Sequence, residues 1–312
     1  MKKGVFGADV GGTTVKIGLC NLDGSIIESW EIPTRREENG KYILADIAEA
    51  VKSKMTEHSL SRDDIAGIGL GVPGPVDPDG IVHGCVNLGW NTFNVERDMS
   101  EITGLKVKAG NDANVAALGE MWRGGGKGYD SIVMVTLGTG VGSGIIIDGK
   151  ILAGADGASG EIGHLPMNDE ETEQCGCGKR GCLEQYGSAT GVVTLMRRYL
   201  GAHPEADSLL KDKNDFTAKD IFDAARLGDQ SALAAVGEAA DYLGKGLASA
   251  ACLIDPQAFV IGGGMSRAGD FLIDMIRERY QKHAFHASRD IPFKLATLGN
   301  NAGIVGSVKM IV

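Results

Sequence analysis

Three cysteines, Cys175, Cys177 and Cys182, crowd into eight residues with glycines between them. Thiols at this spacing seldom serve packing and suit a metal ion instead. An imidazole, His164, stands shortly upstream. Three thiolates and one imidazole complete a tetrahedral shell around Zn2+, and a closed shell leaves no place for a catalytic water. The expected metal is therefore structural, a support for the loop that carries it. Two carboxylates ride on that loop: Glu161, three residues before His164, and Glu184, two residues after Cys182. A carboxylate accepts hydrogen bonds from hydroxyls on both its oxygens. A lone Glu, however, is ordinarily a solvated surface charge.

A second chemistry is written in glycine. In Asp9-Val10-Gly11-Gly12-Thr13-Thr14, Gly11 and Gly12 let backbone N–H groups turn towards an anion, and the hydroxyls of Thr13 and Thr14 add donors. Asp9, at a strand end, is placed to hold Mg2+ through water. Alone, such a turn reads equally well as an ordinary hairpin. A second one, Gly138-Thr139-Gly140-Val141-Gly142, shifts the balance towards a triphosphate gripped from two sides. Gly262-Gly263-Gly264 follows a short apolar strand, and Gly263 and Gly264 would let adenine and ribose lie against backbone. Asn111-Asp112 opens a helical pattern and reads first as an N-cap. A helix N-terminus also keeps a carboxylate ionised, as a proton acceptor must be. The residues alone leave cap and base both open.

The elements that must position these groups follow from periodicity. Val5-Phe6-Gly7-Ala8 is a strand, 15–20 a second, and Asp23-Gly24 turns into a third at 25–31. A helix spans 41–58, with Ile43, Ile47, Val51 and Met55 on one face. A strand at 65–72 ends in Pro73-Gly74-Pro75, and a helix follows at 112–122. Strands at 131–137 and 143–147 and one beginning at 150, turned by Asp148-Gly149, then repeat the opening arrangement. Strand, Gly/Thr turn, strand, Asp-Gly turn, strand thus occurs twice, the sign of a duplicated α/β architecture. A helix at 232–253, a strand at 259–261 and a helix at 302–311 complete the reading.

In this order, Asp9-x-Gly11-Gly12-Thr13-x-x-Lys16, Gly138-Thr139-Gly140-x-Gly142, Glu161-x-Gly163-His164 and Cys175-x-Cys177-Gly178-x-x-Gly181-Cys182-x-Glu184 resemble the ROK family (repressors, open reading frames and kinases). Among its members the sequence is most similar to bacterial glucokinases. The resemblance runs over essentially the whole chain, and the cysteine block is its most specific part. It implies an α/β, two-domain actin-like (ribonuclease H-like) ATPase fold with an interdomain cleft. The smaller domain would take residues 1–118 plus 299–312, with the first phosphate turn and the base. The larger would take 119–298, with the second phosphate turn, the zinc and sugar loop and the adenosine-side glycines.

The resemblance also implies an activity, ATP-dependent phosphorylation of a hexose, glucose to glucose 6-phosphate first among the candidates. Asp112 is then the base, Asn87, Asn111, Asp112, Glu161, His164 and Glu184 bind the sugar, and His164, Cys175, Cys177 and Cys182 hold one structural Zn2+. ATP comes with Mg2+, and the chain assembles as a homo-oligomer, a dimer first. N-Acetylmannosamine or fructose are alternative acceptors. A sugar-responsive regulator is the rival from another class, but its relatives carry a DNA-binding segment ahead of the kinase-like part, for which Asp9 leaves no room here.

Composition agrees with that exclusion. The 312 residues carry a net charge of −10, against the basic face of a nucleic-acid binder. No apolar run reaches the roughly 18 residues of a membrane span. No run of about 7–15 apolar residues marks a signal peptide, so the expected compartment is the cytoplasm, without membrane or nucleic-acid partners.

Overall fold

The computed structural model describes residues 2–213 and 215–312. The chain forms two compact units. The first comprises residues up to Ile132, together with Gly144–Gly160 and Thr297–Val312; the second comprises Val133–Ser143 and Glu161–Ala296. The boundary expected at 118/119 lies inside a helix, Asp112–Arg123.

In the first unit, β1 (Gly4–Val10), β2 (Thr14–Cys20) and β3 (Ile26–Pro33) form an antiparallel meander, with β1 and β2 joined by the first Gly/Thr turn. β4 (Ile65–Val72) joins β1 in parallel, and β7 (Val107–Asn111) joins β4 in parallel. A separate hairpin, β5 (Ile81–Cys85) and β6 (Trp90–Asn94), lies between them in sequence. The five-stranded order is β3-β2-β1-β4-β7. Helices α1 (Ile43–Glu57) and α2 (Val95–Thr103) bury Ile43, Ile47, Val51, Val95 and Met99 in the core that Phe6, Ile17 and Leu70 share. Helices α3 (Asp112–Arg123) and α8 (Ala302–Lys309) pack on each other, and α8 lies on β1 and β4.

Glycine explains how α8 comes so near. Gly7 pairs with Gly18 on one side and with Gly69 on the other, so three adjacent strands present a trough without side chains. A methyl at Gly7 or Gly69 would collide with the backbone of Ile304 or Ser307. Ser307 Oγ donates to Ala8 O at 3.1 Å. Ile304, Val305 and Val308 are at most 3% exposed, and each such buried side chain contributes about 1.5–3 kcal/mol.

The second sheet repeats the plan. β8 (Ile132–Leu137), β9 (Val141–Ile147) and β10 (Lys150–Ile151) are followed by β11 (Ala258–Gly262) and β12 (Phe293–Leu295), in the order β10-β9-β8-β11-β12. With the β5–β6 hairpin set aside, both sheets read third, second, first, fourth, fifth, and the repeat seen in sequence is a repeat of topology. The second unit adds α4 (Ala189–Ala202), α5 (Ala218–Arg226), α6 (Gln230–Ile254) and α7 (Asp270–His283). Helix α6 is rich in Ala and Gly, and Gly244 lets the backbone of α7 approach at Arg279 and Tyr280. Among the described residues no helix is long and apolar enough to cross a membrane.

Candidate functional site

In the first unit the chemistry gathers at the carboxyl ends of three parallel strands, the usual ligand edge of an open α/β sheet. Asp9 is the penultimate residue of β1 and pairs in register with Gly71 of β4. Asn111 ends β7, opposite Val72. A methyl at Gly71 would stand 3.7 Å from the Asp112 Cα. Asp9 and Asp112 therefore flank one glycine of the intervening strand, with their backbones about two strand spacings, roughly 10 Å, apart.

Burial raises the proton affinity of the Asp9 carboxyl, and Lys16, its cross-strand partner, opposes the shift. A partly buried carboxylate disfavoured in its charged form suits a cation at its free edge. Asp9 thus fits the Mg2+ role, and Lys16, whose direction its strand periodicity leaves open, stands beside it. The turn is compact. Gly11 N–H donates to Thr14 O at 2.9 Å, Thr34 N–H to Thr13 O at 2.9 Å, and Thr34 Oγ1 to Gly11 O at 2.7 Å. A methyl at Gly12 would meet nothing within 4 Å, which leaves that backbone open to a ligand.

Asn111 is the N-cap of α3. Its Oδ1 accepts from the N–H groups of Ala113 and Asn114 at 3.0 and 3.2 Å, while its Nδ2 donates to Gly74 O at 3.2 Å. Cap and cleft wall are one residue, and one N–H remains for a ligand. The Asp112 Oδ1 accepts from Ala113 N–H at 2.8 Å. At the start of a 12-residue helix its carboxylate lies where the helix dipole favours ionisation. Asn87 sits in a one-turn helix, Val86–Leu88, and borders an open cavity of about 460 Å3 with Thr34, Arg36 and Glu37.

In the second unit the second Gly/Thr turn links β8 to β9. Gly138 O accepts from Ala189 N–H at 2.8 Å, and Thr139 O accepts from Thr190 Oγ1 at 3.1 Å. Both donors belong to the first turn of α4. Gly138, Thr139 and Gly264 line a cavity of about 510 Å3 together with Thr217, Phe222, Met265 and Ala268. Its size and mixed lining suit a nucleoside. Gly263, next to Gly264, adopts φ +84°, with Leu137 backbone where a side chain would be.

The four expected metal ligands converge. His164 Nδ1 or Nε2 and the sulfurs of Cys175, Cys177 and Cys182 provide one atom each within 4.8 Å of one another. A tetrahedral ion with Zn–S bonds of about 2.3 Å holds its thiolates about 3.8 Å apart. Cys177 and Cys182 are 3.6 Å apart, and Cys175 Sγ is 3.8 Å from His164 Nδ1. The residues fit Zn2+. In the protein alone, burial pushes Cys182 up to about 12, while the Lys179 backbone N–H beside Cys177 lowers that thiol. A bound cation favours the thiolate of every ligand. His164 turns Nδ1 to the Cys175 sulfur and leaves Nε2 at 3.9 Å from Glu161, which is exposed. The loop is also braced from behind. Arg198 donates to both oxygens of the buried Glu171 at 2.9 and 3.0 Å, and Tyr186 Oη donates at 2.7 Å. Arg198 foremost holds the Glu171 carboxyl down to about 2.

Glu184 joins the two motifs of this unit. Its Oε2 accepts from Val141 N–H at 2.9 Å, and its Oε1 lies 4.0 Å from Cys175 Sγ. A methyl on Gly140 would overlap Glu184 Oε2. The zinc loop and the second Gly/Thr turn thus share one carboxylate.

A sequence profile described as the ROK family matches residues 5–312. The chain belongs to the ROK family. This ROK protein is 43% identical over 304 residues to a glucokinase of Halalkalibacterium halodurans, covering 96% of this chain and 92% of the relative. It is 36% identical to a glucokinase of Streptomyces coelicolor, covering 98% and 96%. In structure it is similar to a ROK family glucokinase from Streptomyces griseus in complex with glucose and AMPPNP, at 34% identity, TM-score 0.75 and 98% coverage of both chains. The fold is the actin-like ATPase fold of that family.

Sequence reasoning passed over several residues here. Helix α5, through Phe222 and Arg226, and its N-cap Thr217 wall the 510 Å3 cavity, a stretch to which the sequence reading assigns no element. Thr34 ties the first turn to the segment leading to Arg36 and Glu37. Its signal was slight, one Thr after a strand-ending proline. The shared carboxylate gives a test. Gly140→Ala is expected to displace Glu184 and raise the KM for the acceptor about 10- to 100-fold, more than the KM for the nucleotide. Steady-state kinetics with each substrate varied in turn distinguish this from simple damage to phosphate binding, which would raise the nucleotide KM first.

Proposed function

We propose that this protein transfers the γ-phosphoryl group of ATP to the 6-hydroxyl of glucose. The carrying observation is the placement of Asp112, at the head of α3 and beside the strand that pairs with Asp9. A proton acceptor and an anion-turn carboxylate share one sheet edge. Identity to glucokinases over nearly the whole chain supports the acceptor, and a similar ROK glucokinase holds glucose with AMPPNP, which supports the donor.

In this reading Asn87, Asn111, Glu161, His164 and Glu184 orient the sugar, while Gly11–Thr14 and Gly138–Gly140 hold phosphates through backbone N–H and hydroxyl groups. Asp112 accepts the proton of the 6-hydroxyl as its oxygen bonds to the γ-phosphorus. The bond from that phosphorus to the β-bridging oxygen breaks, and ADP leaves. Phosphoryl transfer asks chiefly for positioning and charge neutralisation, so an ionised carboxylate suffices. Mg2+, held by Asp9 through water, would supply part of that neutralisation. Zn2+, held by His164, Cys175, Cys177 and Cys182, would stiffen the loop that bears Glu161 and Glu184 and take no part in the chemistry. A cytoplasmic location and a homodimeric assembly belong to the same proposal and rest on the family resemblance.

The test is ADP release from ATP with glucose, N-acetylmannosamine, N-acetylglucosamine, fructose and xylose, each at matched concentration. Glucose is expected to give the highest kcat/KM. A higher value for an N-acetylated sugar would replace glucose as acceptor, and release with none of them would remove the kinase reading.

A further inference from the structure

Glu120 lies on α3 eight residues after Asp112, and it is completely buried, at 0% exposure. On an amphipathic helix a Glu would ordinarily face water. Here its partners are backbone N–H groups. Oε2 accepts from Gly125 at 2.8 Å and from Thr297 at 3.0 Å, and Oε1 accepts from Leu298 at 2.8 Å. Its backbone oxygen also accepts from Gly124 and Gly126, each at 3.0 Å. A methyl at Gly124 would overlap Oε2, so the glycines let the loop close on the carboxylate. All these groups belong to the first unit. Among the described residues no ion pair involves Glu120.

A buried carboxylate costs free energy unless its oxygens are fully satisfied, and charge-assisted bonds to backbone hold both partners tightly. Apolar side chains would fill the same space without that demand. The groups Glu120 fixes are not arbitrary. Leu298 precedes a single helical turn, Gly299–Asn301, and α8 begins at Ala302. The first turn of α8 backs Asp9, because a methyl at Gly303 would come within 2.6 Å of the Asp9 Cγ. Further along, a methyl at Gly119 would collide with Ala302 O. One rigid helix, α3, therefore carries Asp112 at its head and, through Glu120, sets where α8 starts behind Asp9.

We propose that Glu120 is a positioning residue that holds the proton acceptor Asp112 and the cation-side carboxylate Asp9 in one register. The inference rests on the roles given to those two residues above. Glu120→Gln keeps the shape but turns an amide N–H2 against a backbone N–H. It is expected to lower kcat about tenfold or more and to raise the Mg2+ concentration for half-maximal rate about fivefold. In an Asp112→Asn background the same change is expected to lower kcat less than about threefold further, because residues acting through one another are not additive. Fewer folded molecules would lower kcat alike in both backgrounds and leave the Mg2+ requirement where it was, and that outcome would overturn the proposal. So would an unchanged kcat and Mg2+ requirement in folded Glu120→Gln.

Should that variant fail to fold, Leu298→Pro removes one of the three donors at a residue whose φ of −79° proline tolerates. It is expected to move the Mg2+ requirement in the same direction, and an unmoved requirement counts against Glu120. If the wild-type protein phosphorylates no sugar, the proposed function fails. Calorimetric titration of AMPPNP at stepped Mg2+ concentrations then still reads the Glu120→Gln shift on its own.

Discussion

Asp112→Asn is expected to lower kcat about 10²- to 10⁴-fold, the range a general base contributes, while the dissociation constant for glucose changes only a few-fold. The amide keeps the size of the carboxylate and its Oδ1 acceptor for Ala113 N–H, so α3 retains its start. What it loses is the charge that receives the proton. Binding and turnover should therefore separate, and calorimetry of sugar binding beside coupled-assay kinetics shows whether they do. Near-normal turnover in the mutant would remove Asp112 as the base. A loss of affinity as large as the loss of rate would make it a binding residue instead.

Cys177→Ala should produce the second large effect. Changes in groups that merely orient a ligand already weaken metal sites about 10- to 100-fold, so loss of a ligand should weaken zinc retention at least that much. Cys177 is the exposed member of the four, and the loop around it is otherwise held by short hydrogen-bonded pairings, among them the bridges Pro166 with Cys182 and Gln174 with Arg180, and by the Glu171–Arg198 brace. The brace alone cannot fix Glu184, which lies beyond Cys182 and reaches back to Val141. Metal analysis by mass spectrometry should report less than one zinc per chain, and the acceptor KM should rise. Chelation of the wild-type protein should do the same, with recovery on adding Zn2+. Unchanged acceptor affinity in a zinc-free protein would end the structural-zinc reading.

These two sites differ in how plainly the sequence announces them. The zinc ligands are local, with three cysteines within eight residues, and thiols so spaced have few other uses. The Gly/Thr turns are local too, and period-two strands on either side place them within a residue or two of where they fall. Asn111-Asp112 announces a helix start but not a base, because the cap accounts for it fully. Glu120 announces nothing. Its partners at 297 and 298 are far along the chain, and a Glu within a helix is ordinary until its burial is seen. The β5–β6 hairpin escaped notice for a related reason. Its glycines and polar residues look like loop, and its order comes from Trp90, whose indole N–H donates to Gly40 O fifty residues away. Local patterns carried the repeat and the metal. Contacts made across the fold carried the register of the site.

The glycine trough across β1, β2 and β4 has a consequence in time. Its cover, α8, lies 299 residues away along the chain at the Ala8–Ser307 hydrogen bond. During synthesis the first strands emerge long before the helix that shields them, and at about 5–20 residues per second the wait is tens of seconds. For that interval Val5 and Cys20 have no lid, since Ile304, Val308 and Ile311 complete their cluster. The opening sheet must therefore stay soluble while incomplete, and the chain's last turns decide whether it ever closes. A nascent chain stalled before residue 302 should accordingly remain protease-sensitive in its first seventy residues, however much of the second unit has already folded.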